Sequence, residues 1–283
     1  SGEPYSVFLE IFFKIFKSKF FINYKKPIIL IASKKLVEMQ MKKMNFSIKI
    51  NLLDKKKISS TKINNSKINL IDVHMNINKP FGKISDKSSK YIDYCFNLGV
   101  KILNDGKGSA LINGPISKKH FLKNKFPGVT EYLAKKVKKL NKEVMLIYNK
   151  KLSVCPITTH IPIKNVNKFI STNKIVYKVK TINQFYREKF NKVPKFAITG
   201  LNPHCESNFN NGEEDKIIKP AIKILKKKSI KIYGPLSADT LFIKNNLKKF
   251  DIVIGMYHDQ VLTPLKTLYG FNAINLTLGL PYL

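Results

Sequence analysis

Five histidines are spread along the chain, and three of them share one setting. His160, His204 and His258 each closely follow an apolar run that reads as a strand, in the loops Thr158-Thr159-His160, Asn202-Pro203-His204 and Tyr257-His258-Asp259. In α/β folds the loops at strand carboxyl ends converge, so residues remote in sequence meet there. Three imidazoles with coordination positions to spare suit a catalytic divalent cation, zinc or a similar ion. The spacing is too long for a local metal motif. Position alone therefore leaves two readings open: a three-histidine site, or three unrelated polar loop residues. His74 also follows a strand candidate and is not excluded by position, although a plain strand-end role suits it better. His120, after Lys118-Lys119, reads as a helix-surface residue. Asp239 in Ser237-Ala238-Asp239-Thr240 and Asp259 beside His258 could each orient a ligand or act as a base, the alternative being a cap or turn role.

The elements that must position these residues alternate between strand and helix. Apolar runs predict strands over 27–32, 68–73, 109–112, 143–148, 152–158, 195–199, 231–233, 251–256 and 273–276. Helical periodicity predicts helices over 6–22, 88–104, 130–140, 165–190 and 213–228, with a further helix start at Ser33-Lys34-Lys35. Residues 49–66 read as loop and short strand pieces, and Ser117, after Asn113-Gly114-Pro115, as the cap of a following helix. There is no internal repeat and no low-complexity linker. The alternation argues for an α/β fold with largely parallel sheets.

The chain has 283 residues, enough for one large α/β unit or two modest domains. Hydrophobic residues make up 43% and charged residues 25%, which is ordinary for a globular protein and argues against disorder. The formal charge of +34 first suggests a nucleic-acid or anionic-membrane binder. The distribution argues otherwise. Lysines are scattered from Lys14 to Lys266, no aromatic-rich basic block is present, and Arg187 is the only arginine, although phosphate recognition favours the arginine fork. Lysine, asparagine and isoleucine are abundant together, as drift in coding composition would produce. Specific nucleic-acid binding is not expected; non-specific attraction to polyanions at low salt is. Cys95, Cys155 and Cys205 form neither a disulfide framework nor a zinc knuckle, so a reducing cytoplasm is the simplest compartment. The apolar stretch 7–22 carries Glu10, Lys14, Lys17 and Lys19 and is too charged for a membrane span.

Several stretches resemble the 4-hydroxythreonine-4-phosphate dehydrogenase family of vitamin B6 synthesis. They are Gly2-Glu3-Pro4, LINGPISK at 111–118, Gly128-Val129-Thr130-Glu131, TTHIP at 158–162, GLNPH at 200–204, GPLSADTLF at 234–242, MYHDQ at 256–260, Leu265-Lys266 and NLTLGLP at 275–281. Together they span nearly the whole chain. The resemblance implies an α/β fold of two α/β/α domains with a cleft between them, similar to isocitrate and isopropylmalate dehydrogenases. Residues 1–118 with 250–283 would form a first, discontinuous domain, and 119–249 a second carrying dimer contacts. It further implies a cytoplasmic homodimer with an active site to which both subunits contribute. The implied reaction oxidises 4-phosphooxy-L-threonine with NAD or NADP, and the resulting 3-keto acid loses CO2 to give 3-amino-2-oxopropyl phosphate. By motif, His160, His204 and His258 correspond to ligands of a zinc, magnesium or cobalt ion, and Thr130, Lys266 and Asn275 to substrate-binding residues. Lys266 would also be expected to supply catalytic charge or a proton, and Asp239 to orient Lys266 or a metal ligand or to act as a base. Such an ion lowers the pKa of the substrate alcohol and stabilises the enolate left by decarboxylation. No GxGxxG follows a strand, so a Rossmann fingerprint is not implied and the cofactor-binding residues are unassigned.

The chain also departs from the family. Val129 stands where the family has histidine, which removes an imidazole expected to touch substrate. Ser6 and Phe8 replace two permissive glycines, and Cys205-Glu206-Ser207 replaces Ala-Gly-Glu. The family's strand ahead of Gly2-Glu3-Pro4, and its Arg-Thr-Ser and Val-Asp-His-Gly-Thr-Ala stretches with a final helix, are absent from this sequence. The expectation is a fragment of a longer protein or an eroding gene. Altered specificity toward a related phosphorylated hydroxy acid, such as threonate or erythronate phosphate, is the alternative reading of Val129. A decayed, non-catalytic basic protein is the third.

Overall fold

The computed structural model describes residues 2–55, 58, 63–123, 125–205 and 212–282. Glu206 and Ser207, and part of the stretch 49–66, therefore lie outside the described residues. The chain divides into two compact α/β units, Ser1–Leu140 with Pro281–Leu283, and Asn141–Leu280. This division differs from the boundaries drawn from the sequence. Residues 119–140 go with the first unit, and 250–280 with the second.

The first unit holds α1 (Phe8–Phe16), α2 (Lys19–Ile22), β1 (Ile29–Ala32), α3 (Lys34–Lys43), β2 (Ile50–Leu52), β3 (Ile68–Asp72), α4 (Ser89–Asn104) and α5 (Val129–Lys136). Its three strands pair in parallel in the order β1-β3-β2, with Leu30 and Leu52 both level with Leu70. Leu9, Phe13 and Phe16 recur at helical spacing on α1 and bury one stripe against Leu30, Leu36, Val37 and Ile68. The single helix expected over 6–22 is broken because the Ser18 hydroxyl accepts from the Phe21 amide and starts α2 afresh. The strand expected over 109–112 does not form. Ile112 is 71% exposed, and the following loop is tied instead by the Glu3 amide donating to the Pro115 carbonyl. Ser117 does cap, accepting from the His120 amide at 3.3 Å, and opens one turn over Lys118–Leu122.

The second unit holds β4 (Val144–Tyr148), β5 (Ser153–Pro156), α6 (Val166–Phe169), α7 (Thr172–Phe190), β6 (Phe196–Thr199), α8 (Lys219–Lys227), β7 (Ile232–Leu236), α9 (Ala238–Leu241), α10 (Lys244–Leu247), β8 (Ile252–Gly255), α11 (His258–Tyr269) and β9 (Ile274–Leu278). The strands form one six-stranded sheet in the order β7-β6-β8-β5-β4-β9. β8 pairs in parallel with both β5 and β6, which is why residues 250–280 belong to this unit. β7, β6, β8 and β5 are parallel, while β4 runs antiparallel to both β5 and β9. The central strands read as continuous apolar runs, FAIT and IVIG, and every residue in them is buried. Val261, Leu262 and Leu265 of α11 pack on Val154, Ala197 and Val253 to form the core under this face. Among the described residues no helix is long and apolar enough to cross a membrane.

Candidate metal-binding active site

β6, β8 and β5 are adjacent and parallel, so their carboxyl ends share one edge of the second unit. The segments leaving that edge carry His204 after β6, His258 at the first position of α11 after β8, and His160 after β5. The expectation of three histidines at neighbouring strand ends is met in topology. The structure brings the rings of His160 and His258 together, with centroids 5.8 Å apart and planes tilted by 38°. Two imidazoles bound to one ion through nitrogens at ~2.1 Å have ring centres roughly 5–6 Å apart, so this pair fits a shared divalent cation.

The partner of His258 strengthens the fit. Its Nδ1 lies 2.6 Å from Asp259 Oδ1. An Nδ1–H donated to that carboxylate fixes the tautomer and leaves Nε2 as the lone-pair donor, the usual arrangement of a metal-binding histidine. Asp259, whose role the sequence leaves open, is the carboxylate in contact with His258. His204 takes a different environment. Its backbone is left-handed at φ 55°, as is that of Cys205 at φ 60°, an uncommon run for residues bearing a Cβ. Its Nδ1 stands 4.0 Å from Asp239 Oδ2, and Asp239 lies in α9, which follows β7, the next strand along the same edge. Among the described residues, no group of three His, Cys, Asp or Glu side chains is set to hold a metal within one chain.

The strained loop that carries His204 is held by a residue the sequence did not flag. Glu214 is 2% exposed, and its Oε1 accepts from the amides of Leu201 at 2.7 Å and Asn202 at 2.9 Å. Its Oε2 accepts from Asn202 Nδ2 at 2.9 Å. Burial pushes the Glu214 carboxyl up, but the hydrogen bonds from Asn202 and Leu201 outweigh it and hold the pKa below the ordinary carboxylate value. Gly200 permits this packing: a Cβ there would meet Cys205 Sγ at 2.9 Å and Glu214 Oε1 at 3.0 Å. Gln260, inside MYHDQ but given no role by the sequence, bonds both Met256 and Gly200.

The other expected site residues lie elsewhere. Lys266 is exposed on α11, eight residues beyond His258 and so about 12 Å along the helix axis. Asn275 is paired with Ile147, which in turn is level with Val154 near the start of β5, away from the edge that bears the histidines. Within one chain, then, Lys266 and Asn275 lie toward one end of the sheet and the three histidines at the other. Thr130 is the second residue of α5, in the first unit, directly after Val129. His74 follows β3 in the first unit, beside a groove of about 1030 Å³ that Lys79, Lys83, Lys87 and Lys90 also line. His120 Nδ1 lies 2.9 Å from Asp86 Oδ1.

The family profile described as pyridoxal phosphate biosynthetic protein PdxA matches residues 23–283. A 4-hydroxythreonine-4-phosphate dehydrogenase from Sulfurihydrogenibium sp. is 40% identical over 288 residues, spanning all of this chain and 86% of that protein. A protein provisionally named D-threonate 4-phosphate dehydrogenase, from Oceanobacillus iheyensis, is 33% identical over 205 residues, 71% of this chain and 61% of its own length. The crystal structure of a 4-hydroxythreonine-4-phosphate dehydrogenase from Burkholderia phymatum superposes with a TM-score of 0.83 at 27% identity, covering 99% of this chain and 86% of the other. Motif order, a sheet that lines up three histidine loops, and likeness along the whole chain agree: the protein belongs to the PdxA family of 4-hydroxythreonine-4-phosphate dehydrogenases.

Proposed function

We propose that the chain oxidises 4-phosphooxy-L-threonine to 2-amino-3-oxo-4-phosphooxybutanoate, with NAD reduced to NADH, and that this keto acid then loses CO2 to give 3-amino-2-oxopropyl phosphate. The observation that carries the reading is the His160–His258 pair at 5.8 Å, oriented by Asp259, beside the loop that bears His204. His160, His204 and His258 are the residues to hold a zinc, magnesium or cobalt ion. When bound, the ion supplies Lewis acidity to the substrate hydroxyl and to the carbonyl that replaces it, while the nicotinamide supplies the hydride acceptor.

The chain's own residues do the rest. Asp259 keeps His258 in its donor tautomer, and Asp239, 4.0 Å from His204 Nδ1, would do the same on closing to hydrogen-bond distance. Lys266 presents a cation for the substrate carboxylate or phosphate, with Asn275 and Thr130 as hydrogen-bonding partners of the substrate. The separation of Lys266 and Asn275 from the histidines within one chain supports a homodimer in which substrate contacts of one copy meet histidines of the other.

The test is formation of reduced nicotinamide from 4-phosphooxy-L-threonine with each metal in turn. Turnover that requires added metal supports the reading, and its absence from the metal-loaded dimer refutes it. A second reading, oxidation of D-threonate 4-phosphate or erythronate 4-phosphate, is favoured by Val129 in place of the family histidine and by the Oceanobacillus relative. Comparing kcat/KM on these substrates separates the two.

A further inference from the structure

We infer that Gln260 is a positioning residue that locks the loops carrying His204 and His258 to each other, and that Thr158 extends the lock to the loop carrying His160. The inference rests on the reading of these histidines as ligands of one ion. The strands end at Thr199, Gly255 and Pro156; past them the Ile157 and Thr158 amides still donate to the Gly255 and Met256 carbonyls, while side chains tie the β6 loop to the segment after β8.

Gln260 lies in the first turn of α11. Its Oε1 accepts from the Met256 amide at 2.7 Å and from Thr199 Oγ1 at 2.9 Å, and its Nε2 donates to the Gly200 carbonyl at 2.8 Å. The Met256 carbonyl in turn accepts from Thr158 Oγ1 at 2.7 Å and from the Thr158 amide at 3.1 Å. A continuous hydrogen-bonded path therefore runs Gly200–Gln260–Met256–Thr158 across β6, β8 and β5. Met256 and Thr158 each stand two residues before a histidine, and Gly200 stands four before His204.

The chemistry demands an amide. One oxygen must serve two donors while the nitrogen of the same group serves a carbonyl. A carboxylate could not donate to Gly200, and a hydrocarbon would leave the Met256 amide and the Gly200 carbonyl without this partner. Gly255 makes the close approach possible, since a Cβ there would meet Val261 Cγ1 at 2.4 Å and Gln260 Oε1 at 3.2 Å. Metal sites depend on such supporting shells because ligands held loosely must be ordered at the moment of binding.

The experiment is cobalt(II) titration of the full chain, read by affinity and by the visible ligand-field spectrum, for wild type, Q260E, Q260L, T158V and S153A. Ser153 is a matched control: it is buried at the far end of β5 and loses a hydrogen bond to Tyr186 instead. Circular dichroism without metal establishes folding, and if Q260L fails to fold, the nearly isosteric Q260E decides. The inference expects Q260E and Q260L to weaken cobalt binding about tenfold or more and to change the spectrum. T158V should act in the same direction, and S153A should match wild type. Folded Gln260 variants that bind cobalt with the wild-type affinity and spectrum would overturn it, as would an equal loss in S153A. If wild type binds no cobalt, or if H160A and H258A bind it undiminished, the reading of the histidines falls and this inference with it.

Discussion

Replacing Glu214 with glutamine keeps the shape of the side chain and one acceptor oxygen, and removes the charge. Three hydrogen bonds end on this carboxylate, two from backbone amides and one from Asn202 Nδ2. A bond to a charged group contributes roughly 1 kcal/mol more than a neutral one, and the donors here are only part-buried, so E214Q should cost about 2 kcal/mol. For a unit of this size that corresponds to a fall in melting temperature of about 4–8 °C. The effect must also depend on pH. The folded-state pKa of Glu214 is depressed, so its stabilisation is fully present above the unfolded carboxylate value and is lost as pH falls through the lower folded value. Thermal denaturation of wild type and E214Q from neutral pH down through the carboxylate range checks both points. The melting gap should be widest near neutrality and should close toward acid. A variant as stable as wild type at neutral pH, or a gap that stays constant on acidification, would refute the argument that a charged acceptor holds the His204 loop.

Three further outcomes are expected. His160→Ala and His258→Ala should each lower metal affinity at least 100-fold and abolish reduced-nicotinamide formation, measured by metal analysis after dialysis and by steady-state kinetics. Asp259→Asn, which removes the charge that orients His258, should weaken metal binding by about 10–100-fold with little change in melting temperature, since Asp259 is exposed; a titration against a chromophoric chelator measures it. Val129→His, at the first position of α5, should raise kcat/KM for 4-phosphooxy-L-threonine relative to threonate 4-phosphate if the missing imidazole is a substrate contact; an unchanged ratio would remove Val129 from the specificity argument.

The site was legible where chemistry follows strands. FAIT and IVIG announce buried parallel strands, and the polar loops after them place His204 and His258 at their ends. Which strands are neighbours was not legible, because the partner of a parallel strand is not written in its own pattern. The pattern of 251–256 announces β8 but not its neighbours β5 and β6, which place 250–280 in the second compact unit. Ser109–Ala110–Leu111–Ile112 has the composition of a strand, but no neighbour takes it up, and the run stays a loop. Ser18 and Ser171 break expected helices by capping new ones, a local competition that hydrophobic periodicity does not register. Glu214 and Gln260 escaped notice for a related reason. Their partners are mainly backbone groups of Leu201, Asn202, Gly200 and Met256, which leave no pairing of side-chain types in the sequence.

The central claim is that His160, His204 and His258 hold a single divalent ion in the assembled protein. Anomalous diffraction at the zinc edge from crystals of the zinc-loaded protein tests it most directly. The account predicts one strong peak per site, about 2.0–2.1 Å from a nitrogen of each of the three rings, drawn from one chain or from two. Zinc seated away from these histidines, or no anomalous peak beside the His160–His258 pair at saturating metal, would contradict it.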